Sequence, residues 1–185
     1  SLKKYVKKAT EISGDHPILI DQFLEDAFEF DVDAISDGVD VYIAGIMQHI
    51  EEAGIHSGDS ACVIPSYELS AGSRKVIEDY TRNISLRLET KGLINIQFAE
   101  KDKEIYIIEV NPRASRTTPF ISKVKDIPFA KYAAQISVGK MIKDLNLKDK
   151  NKRLVAIKKP VFPFNKFPKQ NIFLSPEMKS TGEVI

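Results

Sequence analysis

The stretch LINIQFAEKDKEIYIIEVNPR (residues 93–113) decides the fold, because it predicts two antiparallel strands joined by a short turn. The apolar runs 93–99 and 105–110 predict the strands, and the charged residues 101–103 between them predict the turn. A hairpin that closes symmetrically about Lys103 has a defined register, which determines which side chains share a face.

Three oxygen-bearing side chains meet on one face of this predicted hairpin. Side chains alternate along a strand, so Glu109 and Asn111 point the same way, about 7 Å apart along the chain. The symmetric closure places Gln97 opposite Glu109 on the partner strand. A slip of one residue would turn Gln97 to the other face, so this pairing is a prediction of the register.

This residue set is typical of a magnesium site that also receives phosphate. Mg²⁺ prefers oxygen ligands and usually takes one or two carboxylates, leaving positions for phosphates and water. Arg113 and Arg116 follow at once and suit an anionic phosphoryl or acyl-phosphate group. Two alternatives stay open: Glu109 as a solvated strand residue before a turn, and the arginines as partners of nearby acids. A lone charge after the apolar run 105–108 is costly to bury, which favours the metal site.

Hairpins and helices alternate in the rest of the chain, which predicts an α+β fold. The predicted helices are 2–13, 71–91 and 129–138, and the predicted strands are 18–24, 28–35, 41–50 and 153–162. We expect a long loop without regular structure over 51–65 and an irregular, proline-punctuated connector after 162. Because the first helix has almost nothing ahead of it, we expect the chain to be part of a larger protein.

Composition excludes several classes of function. The 185 residues are 43% apolar and 29% charged, with a net charge of +1. This balance lacks the basic excess of a nucleic-acid-binding protein, and no apolar run approaches the length of a membrane span. Cys62 is the single cysteine, so no internal disulfide forms. We therefore expect a soluble, cytoplasmic protein that binds neither nucleic acid nor membrane.

A few residues have an ordinary structural interpretation on pattern alone. Glu29 lies in an alternating strand and would face solvent. We expect His49 and His56 to be ordinary hydrogen-bonded residues and Cys62 to be a small core residue. With no cysteine or third histidine expected near the histidines, a zinc site is not predicted.

Two motifs carry a family resemblance. Gln97 followed by Glu109-Val110-Asn111-Pro112-Arg113 resembles the metal-binding signature of the ATP-grasp superfamily. The stretch QHIEEAGIHSGDSAC (residues 48–62) resembles the large chain of carbamoyl-phosphate synthetase, and in particular the second of its two ATP-grasp halves, which phosphorylates carbamate. The stretches 164–168 and 179–184 are similar to the exit of that half towards a C-terminal regulatory domain.

The resemblance implies a partial ATP-grasp fold: the end of the small lobe plus the large antiparallel-sheet lobe with flanking helices. It divides the chain into residues 1–24 of the small lobe, 25–150 of the large lobe with the metal site, and 151–185 as the final strand and connector. The implied reaction transfers the γ-phosphoryl group of ATP to carbamate, giving carbamoyl phosphate and ADP.

The resemblance also implies roles for individual residues. Leu24 would contact the adenine through its backbone, and Glu29 and Gln22 would contact the ribose, although relatives often carry another residue at the position of Gln22. Arg113 and Arg116 would bind the anion during catalysis. The implied ligands of Mg²⁺ or Mn²⁺ are Gln97, Glu109 and Asn111. Of these, Gln97 and Glu109 would also bind ATP or ADP. The implied nucleotide-contacting loop consists of Gly54, Ile55, His56 and Ser57.

The implied partners are a carbamate substrate derived from bicarbonate and, through the parent chain, a glutamine amidotransferase small subunit. The residues do not distinguish arginine from pyrimidine biosynthesis. Two other functions stay open: a non-catalytic binding or scaffold domain with the same fold, and another ATP-grasp ligase joining a carboxylate to an amine. We expect the 185-residue chain to be catalytically silent by itself, because the family's glycine-rich phosphate loop lies ahead of the residues present here.

Overall fold

A seven-stranded antiparallel sheet forms the body of the chain. The structure is a computed structural model that describes residues 2–148, 154–167, 169 and 171–185. The strand order across the sheet is β5-β4-β1-β2-β3-β6-β7. The strands are β1 Phe28–Asp37, β2 Val41–His49, β3 Cys62–Ile64, β4 Lys91–Lys101, β5 Glu104–Asn111, β6 Ala156–Val161 and β7 Gly182–Val184, and the helices are α1 Leu2–Ser13, α2 Ala71–Arg87, α3 Thr118–Lys125 and α4 Phe129–Ser137.

The β4–β5 hairpin has the predicted pairing of Gln97 with Glu109, but its turn and its strand regularity differ from the prediction. Its two turn residues, Asp102 and Lys103, have φ of 52° and 67°, so the turn is tighter than a symmetric closure about Lys103. This turn alone would place Gln97 opposite Ile108. A bulge in β5 then shifts the register by one residue and brings Gln97 opposite Glu109. The predicted register is confirmed at Gln97 and Glu109.

Apolar layers cover the two faces of the sheet. On one face, Phe30, Ile96 and Phe98 pack with Ile77 of α2. On the other face, residues of α3 and α4 that include Phe120, Phe129 and Ile136 pack on the end of β1 near Ile35 and on apolar residues of β2 and β3. The rest of that second face carries polar side chains, and it is where the candidate site lies.

Three predicted elements are corrected by the structure. Residues 18–24 form no strand, and Leu19 and Phe23 are 83% and 61% exposed, because no described strand offers this segment a hydrogen-bonding partner or a covering surface. The helix predicted to reach 91 ends at Arg87, where the chain turns into β4. The loop predicted over 51–65 contains a 3₁₀ turn at Ser57–Asp59 and the strand β3.

The C-terminal tail is more ordered than its prolines suggest. Its strand β7 pairs with β6, and the buried carboxylate of Asp59 accepts hydrogen bonds from the backbone N–H groups of Lys179 and Ser180 at 2.8–3.1 Å. The predicted connector is therefore anchored to the 3₁₀ turn. The boundary expected at 150/151 and the predicted strand start at 153 lie outside the described residues. None of the helices in the described part of the chain is long and apolar enough to cross a lipid bilayer.

Candidate functional site

Three acidic residues on β1 form the centre of the polar face. Glu29, Asp31 and Asp33 alternate with core residues and are only 6%, 3% and 1% exposed. Buried carboxylates need charged or hydrogen-bonding partners, and the neighbouring strands β2 and β4 supply them. The interpretation of Glu29 as a solvent-facing residue is therefore wrong: the pattern alone could not reveal that loop 50–56 and the segment before β1 cover this end of the strand.

Glu29 is held by three donors. Its Oε2 accepts hydrogen bonds from the side chains of His49 and Gln97, each at 3.1 Å, and its Oε1 accepts one from the backbone N–H of Gly54 at 3.1 Å. Gly54 has φ of +90°, and a Cβ there would lie 2.3 Å from the ring of Phe23. Only glycine fits this position without displacing that ring.

His49 bridges two buried carboxylates. Its Nδ1 lies 3.1 Å from Glu29, and its Nε2 lies 3.0 Å from Oδ2 of Asp31. Burial by itself would lower the pKa of His49, but the charge and hydrogen bond of Asp31 outweigh it and raise that pKa well above 6.5. Burial likewise raises the pKa of Asp31, and the His49 charge reverses this and lowers it below 3.8. An imidazolium that donates to both acids satisfies all three groups.

Asp31, His49 and Cys62 also bring potential ligand atoms within 4.8 Å of one another. The expectation that no cysteine lies near the histidines is therefore wrong, because strand pairing places Cys62 directly beside His49. Both ring nitrogens of His49 already face carboxylates, and a doubly protonated imidazole is not a metal ligand. Cys62 itself is buried in the core below the site, as predicted.

Asp33 anchors the segment that carries the two arginines. It accepts hydrogen bonds from Asn95 at 3.0 Å, from Ser115 at 2.8 Å and from Thr117 at 2.6 Å. Burial raises the pKa of Asp33 to about 6, although these hydrogen bonds oppose the shift. Sequence reasoning missed this role, because the donors on 115–117 are more than 80 residues away and no local pattern links them to β1.

A first cavity is lined by Glu29 and by three other residues expected to contact the nucleotide. It has a volume of about 450 Å³, and we call it the Glu29 cavity. Apolar side chains that include Ala99 and Ile107 form one wall. The lining also includes four predicted residues, Gln22, Leu24, Glu29 and Gly54. Ile55, which follows them, lines neither this cavity nor the next.

A second cavity on the same face gathers the residues expected to hold the metal and the anion. Its volume is about 290 Å³, and we call it the Glu109 cavity. Six predicted residues line it: His56, Ser57, Glu109, Asn111, Arg113 and Arg116. Asp31 and the buried Lys158 line it too, and neither was singled out from the sequence. Gln97 lines neither cavity, but it is hydrogen-bonded to Glu29 of the first and paired with Glu109 of the second.

The side chains of β5 are arranged as a connected polar set. Asn111 donates to Oε1 of Glu109 through a short hydrogen bond, and Arg113 donates to Oδ1 of Asn111 at 3.1 Å. Gln97 uses its amide nitrogen on Glu29, which leaves its amide oxygen to face a cation. One carboxylate and two amide oxygens are a donor set that fits Mg²⁺ or Mn²⁺.

Arg116 has a protein partner in the structure. Its guanidinium donates to Glu183 of β7 at 2.9 and 3.2 Å and to the hydroxyl of Ser180 at 3.0 Å. This contact was not predicted, because the tail was expected to be irregular. An anion that binds Arg116 therefore competes with the tail carboxylate.

The chain is similar in sequence to known carbamoyl phosphate synthase large chains. The family described as "Carbamoyl-phosphate synthase L chain, ATP binding domain" matches residues 1–145. The carbamoyl phosphate synthase large chains of Methanosphaerula palustris and Archaeoglobus fulgidus are 54% and 55% identical over 184 and 186 residues. These matches cover 100% of this chain, which spans only 17% of either relative.

A solved structure of similar fold is the biotin carboxylase domain of a single-chain bacterial carboxylase. The TM-score is 0.67 at 13% sequence identity, and the match covers 89% of this chain and 44% of that one. At this identity the likeness concerns the fold alone. Together with the antiparallel sheet and its flanking helices, it agrees with the predicted α+β, partial ATP-grasp fold.

Proposed function

The chain belongs to the family of ATP-binding domains of carbamoyl-phosphate synthase large chains, and from that premise we propose that it carries part of a Mg·ATP site at which the parent protein phosphorylates carbamate. The observation that carries this proposal is the row of two cavities on one sheet face. One is lined by the expected nucleotide contacts and the other by the expected metal and anion contacts. Glu109 lines the second cavity, and its strand partner Gln97 is hydrogen-bonded to Glu29 of the first.

The Glu29 cavity would take the adenosine part of ATP. Its apolar wall suits a purine ring, and the backbone beside Leu24 offers hydrogen-bonding groups to the base. Glu29 is fixed by three donors and is therefore oriented in advance to accept hydrogen bonds from ribose hydroxyls. Gly54 keeps the covering loop close to the base side of this cavity.

The Glu109 cavity would take the phosphates and the acceptor. Gln97, Glu109 and Asn111 would hold Mg²⁺ or Mn²⁺, which when bound neutralises phosphate charge and aligns the groups. Carbamate oxygen forms a bond to the γ-phosphorus as the bond to the ADP oxygen breaks, giving carbamoyl phosphate and ADP. Arg113 would bind oxyanions of the transferring group, and Arg116 would do so after exchanging Glu183 for the ligand.

Other parts of the proposal concern the whole protein, because this chain spans only 17% of the length of either relative. We propose that residues 1–24 end a small lobe, that 25–150 are the large lobe, and that 151–185 lead to a further domain. The parent would be a cytoplasmic, glutamine-hydrolysing ligase with an amidotransferase small subunit. The 185-residue chain alone would bind Mg·nucleotide without turning it over.

A calorimetric titration with ADP tests the site on this chain. We expect binding that requires Mg²⁺ in the wild type and weakens at least about tenfold in Glu109→Gln, because the substitution removes the one carboxylate of the donor set. Glu104→Gln is the matched control, since Glu104 is an exposed acid at the other end of the same strand. Equal affinity in the wild type and Glu109→Gln, or no binding by any variant, would contradict the proposal.

A further inference from the structure

Lys158 is a buried lysine that the proposed roles do not use. It lies on β6, is 1% exposed, and is among the largest fully buried side chains. Its ammonium lines the Glu109 cavity and donates to the carbonyl oxygen of Ser57 at 3.5 Å, a long hydrogen bond. Within the described part of the chain, no carboxylate oxygen lies within 4.0 Å of this ammonium.

This arrangement is incomplete for a buried cation. An ammonium has three donors and is costly to bury without partners that satisfy them. The Lys158 ammonium interacts electrostatically with Asp31, whose Oδ2 already accepts a hydrogen bond from His49. The lysine is therefore attracted to the acidic centre but not neutralised by a contact.

The charges that line the Glu109 cavity favour an anion. Three cationic side chains, Arg113, Arg116 and Lys158, line it with two carboxylates, Asp31 and Glu109, and Arg116 is already paired with Glu183 of β7. Glu109 belongs to the expected metal site, and Asp31 is hydrogen-bonded to the His49 imidazolium. A small, negatively charged ligand would supply the Lys158 ammonium with the hydrogen-bond acceptors and the countercharge that its described neighbours do not provide.

We propose that Lys158 binds a compact oxyanion in the Glu109 cavity, either a phosphoryl group or a one-carbon carboxylate of the carbamate and bicarbonate type. This inference rests on the proposed function and adds a residue to its anion site. Both ligands present charged oxygens. A lysine ammonium is a compact charge and can contact such oxygens without the planar, bidentate geometry of an arginine. The alternative is a structural role, in which Lys158 stabilises the fold through Asp31 and the Ser57 carbonyl.

Thermal unfolding of the chain with added anions separates the two roles. The probes are inorganic phosphate, carbamoyl phosphate and bicarbonate, each compared with NaCl at equal ionic strength. The variants are Lys158→Met, which removes the charge but keeps the length, and Lys158→Gln, which keeps a donor for Ser57. Lys159→Met is the matched control, because Lys159 is the adjacent lysine and is exposed.

We expect at least one of the three anions to raise the Tm of the wild type and of Lys159→Met, by about 3–6 °C at ten times its dissociation constant. Both Lys158 variants should lose this shift and, without anion, melt no lower than the wild type, because an unsatisfied buried charge has been removed. A phosphate response without a bicarbonate response assigns the subsite to the phosphoryl group, and the reverse assigns it to the carboxylate.

Two results would overturn the proposal: no anion stabilises the wild type, or at least one Lys158 variant folds and retains the anion response. A lower Tm of both variants without anion, together with no anion effect in the wild type, identifies the structural role. The Mg·ADP titration is independent of these outcomes. Nucleotide binding without an anion effect refutes only the anion-binding role of Lys158. A Lys158-dependent anion effect without nucleotide binding refutes only the proposed function.

Discussion

Replacement of His49 by glutamine tests the charged centre of the site. The His49 side chain donates at 3.1 and 3.0 Å to two carboxylates that are 6% and 3% exposed. His49→Gln leaves Glu29 and Asp31 buried without a cation between them. Removing one partner of a buried ion pair costs about 3–5 kcal/mol, and we expect a loss of this size in the free energy of unfolding at pH 6.

The pH dependence gives the sign of the effect. The pKa of His49 is raised in the folded state, so its stabilisation is complete below about 6.5 and is lost as the pH rises through the folded-state value. The loss is about 1.4 kcal/mol for each pH unit within that window. The difference in stability between wild type and His49→Gln should therefore shrink above pH 6.5.

Urea unfolding followed by circular dichroism at several pH values from 5.5 to 9 measures both effects. His16→Gln is the control, because His16 is an exposed histidine. Equal unfolding free energies for His49→Gln and the control at pH 6 would refute the imidazolium bridge. A stability difference that does not change with pH would show that packing, and not the proton on His49, accounts for the loss.

Three further predictions follow from the same contacts. Burial raises the pKa of Asp33 to about 6, so urea unfolding should show the wild type losing about 2 kcal/mol relative to Asp33→Asn between pH 4 and 6.5; a constant difference would contradict this. Calorimetry should show Gly54→Ala weakening Mg·ADP binding about tenfold or more, whereas Gly139→Ala, also at positive φ but with open space around it, should leave affinity unchanged. Asp59→Ala should make residues 171–181 more sensitive to limited proteolysis, and unchanged cleavage would exclude Asp59 as the anchor of the tail.

The hairpin was predictable because its information is local. Gln97 and Glu109 are separated by one turn, and alternation fixes their faces once the closure is known. The bulge that completes their pairing was not predictable, since it depends on how the Ile107–Glu109 backbone fits against β4. The turn is tighter than predicted and β5 contains an extra residue, and these two differences cancel at Gln97 and Glu109 of the proposed metal site.

Long-range contacts account for what the sequence did not reveal. Residues 18–24 have the apolar character of a strand, but a strand also needs a hydrogen-bonding neighbour, which no described strand provides. The partners of Asp33 and Lys158 come from segments 62 to 101 residues away. Alternation alone identifies neither a buried acid nor a buried lysine, because burial depends on elements that pack above the strand.

The distribution of paramagnetic broadening around bound Mn·ADP tests the central claim most directly. Addition of Mn²⁺ with ADP to ¹⁵N-labelled chain should broaden the side-chain amide signals of Gln97 and Asn111 first, with the backbone amide of Gly54 following at greater distance. Glu109→Gln should abolish this pattern. Broadening centred instead on the acidic surface of Glu25, Asp26, Glu51 and Glu52, which lines a separate cavity, would contradict a metal and nucleotide site at Glu109.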